Sequence, residues 1–326
     1  MKCHILKMSI KLDEWNKKIL YELEKDASIT LKDLSRKIGR SKEFIFYRIK
    51  VLEKEGVING YTAIVDMSKL GYFTFRVYLK FQNSDEEKIN VIINFLKEKE
   101  NVWTIARLHG KWDYAFFVGA TQISDFHETW NSFLDNFKWH IKESRIAIYS
   151  RIHNFNKRFF TSSQAVVVER VIGIGGQEKI DDIDLAIINL WGANVRQSSV
   201  EIGEKLKIAP KTTSNRIKTL RKKKIIVGCK IDLNQSKLGY QGYRVDLYLN
   251  NMNRKNELFA YCKKLQNIYQ INDSIGGADF ELEIIVKDLA ELLSIMNKMI
   301  IEFNGIIRDY EYFSFLVFPK LTIVPD

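Results

Sequence analysis

Residues 48–60 read R-I-K-V-L-E-K-E-G-V-I-N-G, and residues 216–228 read R-I-K-T-L-R-K-K-K-I-I-V-G. Placed together without gaps, Arg48, Ile49, Lys50, Leu52, Lys54, Ile58 and Gly60 meet Arg216, Ile217, Lys218, Leu220, Lys222, Ile226 and Gly228. The same offset pairs Asp13 with Asp181 and carries S-K-L-G-Y at 68–72 onto S-K-L-G-Y at 236–240. An identical pentapeptide in constant register marks an internal duplication with units of roughly 150 to 170 residues, a common module size. Each copy therefore serves as a control for the other.

The 326 residues are 46% apolar and 28% charged, enough for several packed cores and unlike a disordered chain. A formal charge of +11 and a pI near 9.3 point to an anionic partner. The excess is localised: residues 205–230 hold ten Lys or Arg and no Asp or Glu, whereas a merely solvated face mixes both signs. Cys3, Cys229 and Cys262 are too scattered for a disulfide framework or a zinc site. His4, His109, His127, His140 and His153 show no metal or catalytic spacing, so no metal, cofactor or catalytic residue is expected. No apolar run reaches the roughly 18 to 20 residues that span a bilayer, and residues 1–10 lack a signal-peptide core. A cytoplasmic protein without a membrane partner is expected.

Asp13 can cap a helix over residues 14–25, Thr30 precedes a second, and Ser41 caps a third that runs through Glu53. With Gly39 at the turn between the second and third, this is a helix-turn-helix, and the strand-like run 57–65 supplies a wing. Downstream, strands over 73–81, 102–108, 114–120 and 145–152 and helices over 85–98 and 125–139 give the order βαββαβ, a ferredoxin-like split unit. Its second sheet face is apolar enough to meet another such sheet. The second copy repeats the plan, with Ala209-Pro210 opening its third helix. The fold class is α+β, divided as 12–66 and 180–234 (winged helix-turn-helix units), 72–155 and 240–322 (ferredoxin-like units) and 156–179 (connector). Within the connector, Gly173-Ile-Gly-Gly176 reads as a hinge, while the apolar, β-prone run 165–172 favours partial order.

The pattern R-[IV]-x-x-L-x-x-x-x-[IV]-[IV]-x-G, then S-x-x-L-G, then a βαββαβ unit with G-x-x-D between its middle strands, resembles the leucine-responsive and asparagine-responsive (Lrp/AsnC) transcription regulators. The G-x-x-D elements here are Gly110-Lys-Trp-Asp113 and Gly276-Gly-Ala-Asp279. The resemblance implies units that bind double-stranded operator DNA, joined to domains that sense a small molecule such as an amino acid and form dimers and higher oligomers. Two tandem units in one chain depart from the usual plan, so one chain could supply the DNA-binding pair that a homodimer otherwise provides. A homo-oligomer, at least a dimer of chains, is expected. Siroheme decarboxylases share the two-domain plan and form the alternative; they resemble H-N-Y-x-R before the middle loop, where this chain has T-I-A-R-L-H-G at 104–110 and Q-I-N-D-S-I-G at 270–276. The expectation is therefore a regulator and not an enzyme, with a sensor or scaffold lacking DNA binding as a third reading.

On the third helix of the second copy, Thr213, Ile217 and Leu220 form the inward stripe. The opposite side carries Lys211, Asn215, Lys218 and Lys222, flanked by Thr212 and Ser214. Asn pairs with adenine edges and Lys with guanine or phosphate, so this is a candidate major-groove face. Arg216 sits nearer the core edge and is open to DNA contact or to binding backbone or an acidic neighbour. In the first copy the matching face is Glu43, Tyr47, Lys50 and Lys54 with Phe44 and Phe46. Lys42, Tyr47, Arg48 and Lys50 are its candidate contacts, expected to be weaker because Glu43 repels phosphate. Gly110, Asp113, Gly276 and Asp279 are candidate ligand residues, their carboxylates suited to an ammonium; the alternative is that each Asp caps a turn.

Overall fold

The computed structural model describes residues 10–161 and 165–322; Cys3 and His4 lie outside them. In the first copy, α1 (Glu14–Lys25), α2 (Leu31–Ile38) and α3 (Lys42–Lys54) precede wing strand β1 (Ile58–Val65). The carboxylate of Asp13 accepts from the Asn16 N–H and the hydroxyl of Ser41 from the Phe44 N–H, so both caps satisfy otherwise orphaned helix donors. Gly39 ends α2 at φ +72°, a left-handed turn that a Cβ would strain. Next come β2 (Phe73–Phe81), α4 (Glu86–Lys97), β3 (Val102–Gly110), β4 (Tyr114–Ala120), α5 (Ile123–Phe137) and β5 (Ile141–Phe155). The connector contributes β6 (Glu169–Ile172).

The second copy contains α6 (Asp182–Ala193), α7 (Ser199–Leu206), α8 (Pro210–Lys222) and β7 (Ile226–Leu233). It continues with β8 (Gln241–Leu249), α9 (Lys255–Lys264), β9 (Ile268–Ile275), β10 (Phe280–Val286), α10 (Leu289–Glu302) and β11 (Ile307–Leu321). Both copies thus show the expected helix-turn-helix followed by βαββαβ.

The copies merge pairwise. Wing strands β1 and β7 pair antiparallel, from Ile58 opposite Leu233 to Val65 opposite Ile226. The Ala27 N–H donates to the Cys229 carbonyl at 3.4 Å, and its counterpart Val195 to Tyr61 at 2.9 Å; Asp66 to Ile225 and Asn234 to Val57 form a second such couple. Each bond recurs with the copies exchanged, so a pseudo-twofold axis runs between the wings. One hydrophobic core then holds α1 and α3 residues Leu20, Ile45 and Leu52 together with Ile187, Ile202 and Leu220 of the second copy. Neither unit buries its apolar face alone, because α1 packs on β7 and α6 on β1.

The βαββαβ halves meet differently from the expectation of two stacked sheets. The strand order is β2-β4-β3-β11-β8-β10-β9-β5, and β5 also pairs with β2, which closes the eight strands into a ring; β6 is added outside β5. The physical reason is edge satisfaction: β3 and β9 would otherwise expose unpaired N–H and C=O groups. The long closing strands supply the partners. β5 pairs with β2 through its first half and with β9 from Ile148 onward, and β11 leaves β8 to pair with β3. The connector is correspondingly no free hinge, since β6 is hydrogen-bonded into the sheet and Arg170 is buried, donating to the Glu24, Lys25 and Cys229 carbonyls.

Candidate nucleic-acid interface

α8 presents the face anticipated from its sequence. Thr213, Ile217 and Leu220 are buried, while Lys211, Thr212, Asn215, Lys218 and Lys222 are exposed and Ser214 is half-buried. Lys211, Lys218 and Lys222 have no ion-pair partner among the described residues. They therefore keep their full charge for an outside anion. The turn into α8 is made by Lys207 at φ +55°, where the first copy has Gly39.

Not all of the basic stretch faces outward. Arg216 donates to Asp181 at 2.8 Å and to Asp184 at 2.9 Å, and Arg48 to Asp13 at 2.5 Å. These arginines clamp the third helix of each unit to the cap of its first, so for Arg216 the acidic neighbour left open by the sequence is Asp181 together with Asp184. The Asp181 carboxyl is held below the usual range by the Asp184 N–H and then by the Arg216 guanidinium. Arg221 donates to Ser28 and lies over the Trp191 ring, and Lys223 donates to the Lys179 carbonyl. Lys230 is on β7, its ammonium pushed toward neutrality by burial and then by Lys157.

On α3, Lys42, Glu43 and Tyr47 are exposed, Tyr47 by 66% and Phe46 by 50%. Phe44 turns inward, edge-on to Trp15, with the Arg40 and Arg48 guanidinium groups over it, so it is no part of the outer face. Lys50 pairs with Glu53 at 2.8 Å, unlike its counterpart Lys218. The first copy therefore offers an aromatic, partly self-neutralised surface.

The G-x-x-D loops have structural partners. Asp113 accepts from the Phe81 N–H and from Lys80, both at 2.8 Å, and Asp279 accepts from the Leu249 N–H at 2.8 Å. Each carboxylate ties its hairpin to the end of the neighbouring strand, not to its own turn. Gly110 adopts φ +129° and is so close to β11 that an added Cβ would meet the Phe313 Cβ at 3.1 Å. Gly276, at φ +82°, and Asp279 border an open depression together with Lys255 and Asp273.

Inside the ring lies a charge network that the sequence reading missed. Arg76 and Arg244 occupy the same position in the two copies and both converge on Glu281, Arg76 through two bonds of 2.7 and 3.1 Å. Arg244 also donates to Asp246 at 3.0 Å. All four side chains are about 1% exposed or less. Burial alone would raise the Glu281 carboxyl; Arg244 and Arg76 outweigh it and hold it well below the carboxylate range. An Arg at the same place in two matching strands, Arg76 and Arg244, with Asp246 two residues beyond the second, was the available signal.

Two stretches of the chain match family models, one for winged helix-turn-helix DNA-binding over residues 12–59 and one for the AsnC-type helix-turn-helix domain over 180–221. An uncharacterized HTH-type transcriptional regulator of Pyrococcus furiosus is 32% identical over 36% of this chain and 76% of its own length. Transcriptional regulator AzlB of Bacillus subtilis is 33% identical over 36% and 76%. The chain belongs to the Lrp/AsnC family of helix-turn-helix transcription regulators. These family members each match about one copy, so the present chain is a tandem member. A solved siroheme decarboxylase, NirDL, shares the duplicated plan: TM-score 0.65 and 12% identity over 96% of this chain and 94% of that one. At that identity the likeness shows the fold alone. It nevertheless corrects the expectation that this Lrp/AsnC chain is not an enzyme, because the whole two-copy architecture is one on which an enzyme is built. Among the described residues, no helix is long and apolar enough to cross a membrane.

Proposed function

We propose that the protein reads operator DNA chiefly through α8, with Lys211, Thr212, Ser214, Asn215, Lys218 and Lys222 as the contacting face and Lys42, Tyr47 and Lys50 of α3 adding weaker contacts. The observation that carries this reading is the α8 face itself: three unpaired lysines around an exposed Asn, at the recognition position of an AsnC-type helix-turn-helix. The pseudo-twofold axis between the wings supports simultaneous use of both units, since it makes one chain a stand-in for a dimer. Titration of duplex DNA at several salt concentrations tests it. With about four phosphates neutralised, the log-log salt slope should be roughly −3.6, and a slope near zero removes duplex DNA as the partner.

Control by an amino-acid-like effector, and assembly into dimers of chains, belong to the same reading. The Gly276–Asp279 loop is the better of the two G-x-x-D candidates, because only one oxygen of Asp279 is hydrogen-bonded among the described residues, whereas both oxygens of Asp113 are engaged. Exposed Leu316, Val317 and Leu321 on β11 favour an apolar contact between chains. Sedimentation that gives a single-chain mass at all concentrations would remove the assembly part.

A further inference from the structure

The outer face of α3 carries more than the helix-turn-helix frame requires. α3 buries Ile45, Ile49 and Leu52, the same stripe as Thr213, Ile217 and Leu220 of α8, so packing asks nothing of Phe46 and Tyr47. Yet these consecutive residues stand 50% and 66% exposed, at positions where α8 carries Ser214 and Asn215. Other aromatics of the same unit are used internally: Trp15 and Phe44 meet edge-on at 6.1 Å between ring centroids, and Arg40 covers Trp15 at 4.1 Å. Phe46 has the Lys50 ammonium 5.7 Å from its centroid, so a cation already sits beside the outward ring.

The charge around the two rings also differs from that of α8. Lys50 pairs with Glu53, Glu43 is an exposed carboxylate, and Lys42 and Lys54 are the exposed lysines of α3 without an ion pair among the described residues. A duplex groove is walled by phosphate on both sides, about one charge per 1.7 Å of axis, whereas one strand alone carries about half that density. Glu43 opposes the first far more than the second. The faces of unpaired bases are uncharged and stack on aromatic side chains whatever the base. In a paired duplex those faces are closed off by the neighbouring pairs, so an aromatic, weakly basic helix face suits opened DNA.

We propose that the α3 face holds unpaired bases, with Phe46 and Tyr47 as the stacking platform and Lys42 and Lys54 on the phosphates of that strand, while α8 holds the adjoining paired duplex. The chain then recognises DNA opened on one side of its pseudo-twofold axis. Because β1 and β7 pair about that axis, the two helices are presented like the pair in a dimer, whose half-sites lie about one turn, roughly 10 bp, apart. The opened tract belongs at about that distance from the α8 half-site. The part given to α8 rests on the DNA reading above; stacking on α3 does not.

The test uses the full chain and three labelled DNAs of one sequence, followed by fluorescence anisotropy at fixed salt. These are a fully paired duplex, the same duplex with about six central bases unpaired between arms of about two turns, and the single strand. The opened duplex should bind at least about tenfold tighter than the paired one, as expected for stacking of one or two bases. Phe46→Ala and Tyr47→Ala should each lose at least about fivefold on the opened duplex, the low end for one base–aromatic stack, and keep their affinity for the paired duplex. Both side chains are exposed, so these variants should fold, and thermal unfolding checks that they do. Tyr47→Phe should keep the advantage of opened DNA and Tyr47→Leu lose it, because a ring is needed and apolar bulk is not enough. Equal affinity for opened and paired duplex, or an advantage untouched in Phe46→Ala and Tyr47→Ala, overturns the proposal and leaves the DNA reading standing. An advantage kept by Tyr47→Leu overturns stacking as its cause. Self-association that disappears in Tyr47→Ala, with no advantage for opened DNA, overturns the proposal in favour of a protein contact. Opened duplex and single strand bound through Phe46 and Tyr47, with no binding of the paired duplex, overturns the reading of α8 and leaves the stacking platform standing.

Discussion

The two recognition helices share a frame and differ in chemistry. α3 and α8 bury the same stripe, and Arg48 and Arg216 make the same clamp to Asp13 and Asp181. On the outer face Glu43 stands against Lys211, Phe46 against Ser214 and Tyr47 against Asn215, and the common lysine is ion-paired only in the first copy. The ring interior repeats the lesson: Arg76 matches Arg244, but Glu281 matches Ala115. Duplication within one chain lets outer faces and even buried partners diverge around a kept frame, because each position can mutate without changing its twin.

The interior contrast is the most sensitive to disruption. Glu281→Ala, which copies the first repeat, leaves two buried guanidinium groups facing each other and should destabilise by about 3 to 5 kcal/mol in urea unfolding. Because the Glu281 carboxyl is depressed in the folded state, its contribution is present above the ordinary carboxylate value of 4.5 and is lost as pH falls below it. The acid limb of the stability curve should flatten in Glu281→Ala; an unchanged limb would mean that other carboxylates dominate acid unfolding.

The next largest effect is on base reading. Asn215→Ala should cost about 1 to 3 kcal/mol on the preferred sequence and relax specificity, while Tyr47→Ala leaves preference intact. Selection of binding sites from random duplexes checks both, and the opposite result would exchange the roles of the copies. The clamps should respond alike: Asp13→Ala and Asp181→Ala each remove a helix cap, worth about 0.5 to 2 kcal/mol in thermal unfolding. A marked inequality would show that the shared frame is shared in form only. Smallest is the charge contrast, where Lys218→Ala should reduce the salt slope by about 0.9 and Lys50→Ala by less, since Lys50 is already neutralised by Glu53.

The sequence by itself determined the duplication, the helix-turn-helix with its Asp13, Ser41 and Gly39 signals, the βαββαβ order and the polar face of α8. These rest on local rules, capping, periodicity and turn chemistry, that act within a few residues of chain. It was also enough to place Arg216 at the core edge, though not to choose between DNA and Asp181. Only the tertiary structure decided that the sheets close edge to edge through β5 and β11, that Arg76 and Arg244 share one carboxylate, and that Asp113 and Asp279 brace neighbouring strands. Each of these joins residues far apart in sequence, and no local periodicity encodes which free strand edge or buried charge will find which partner.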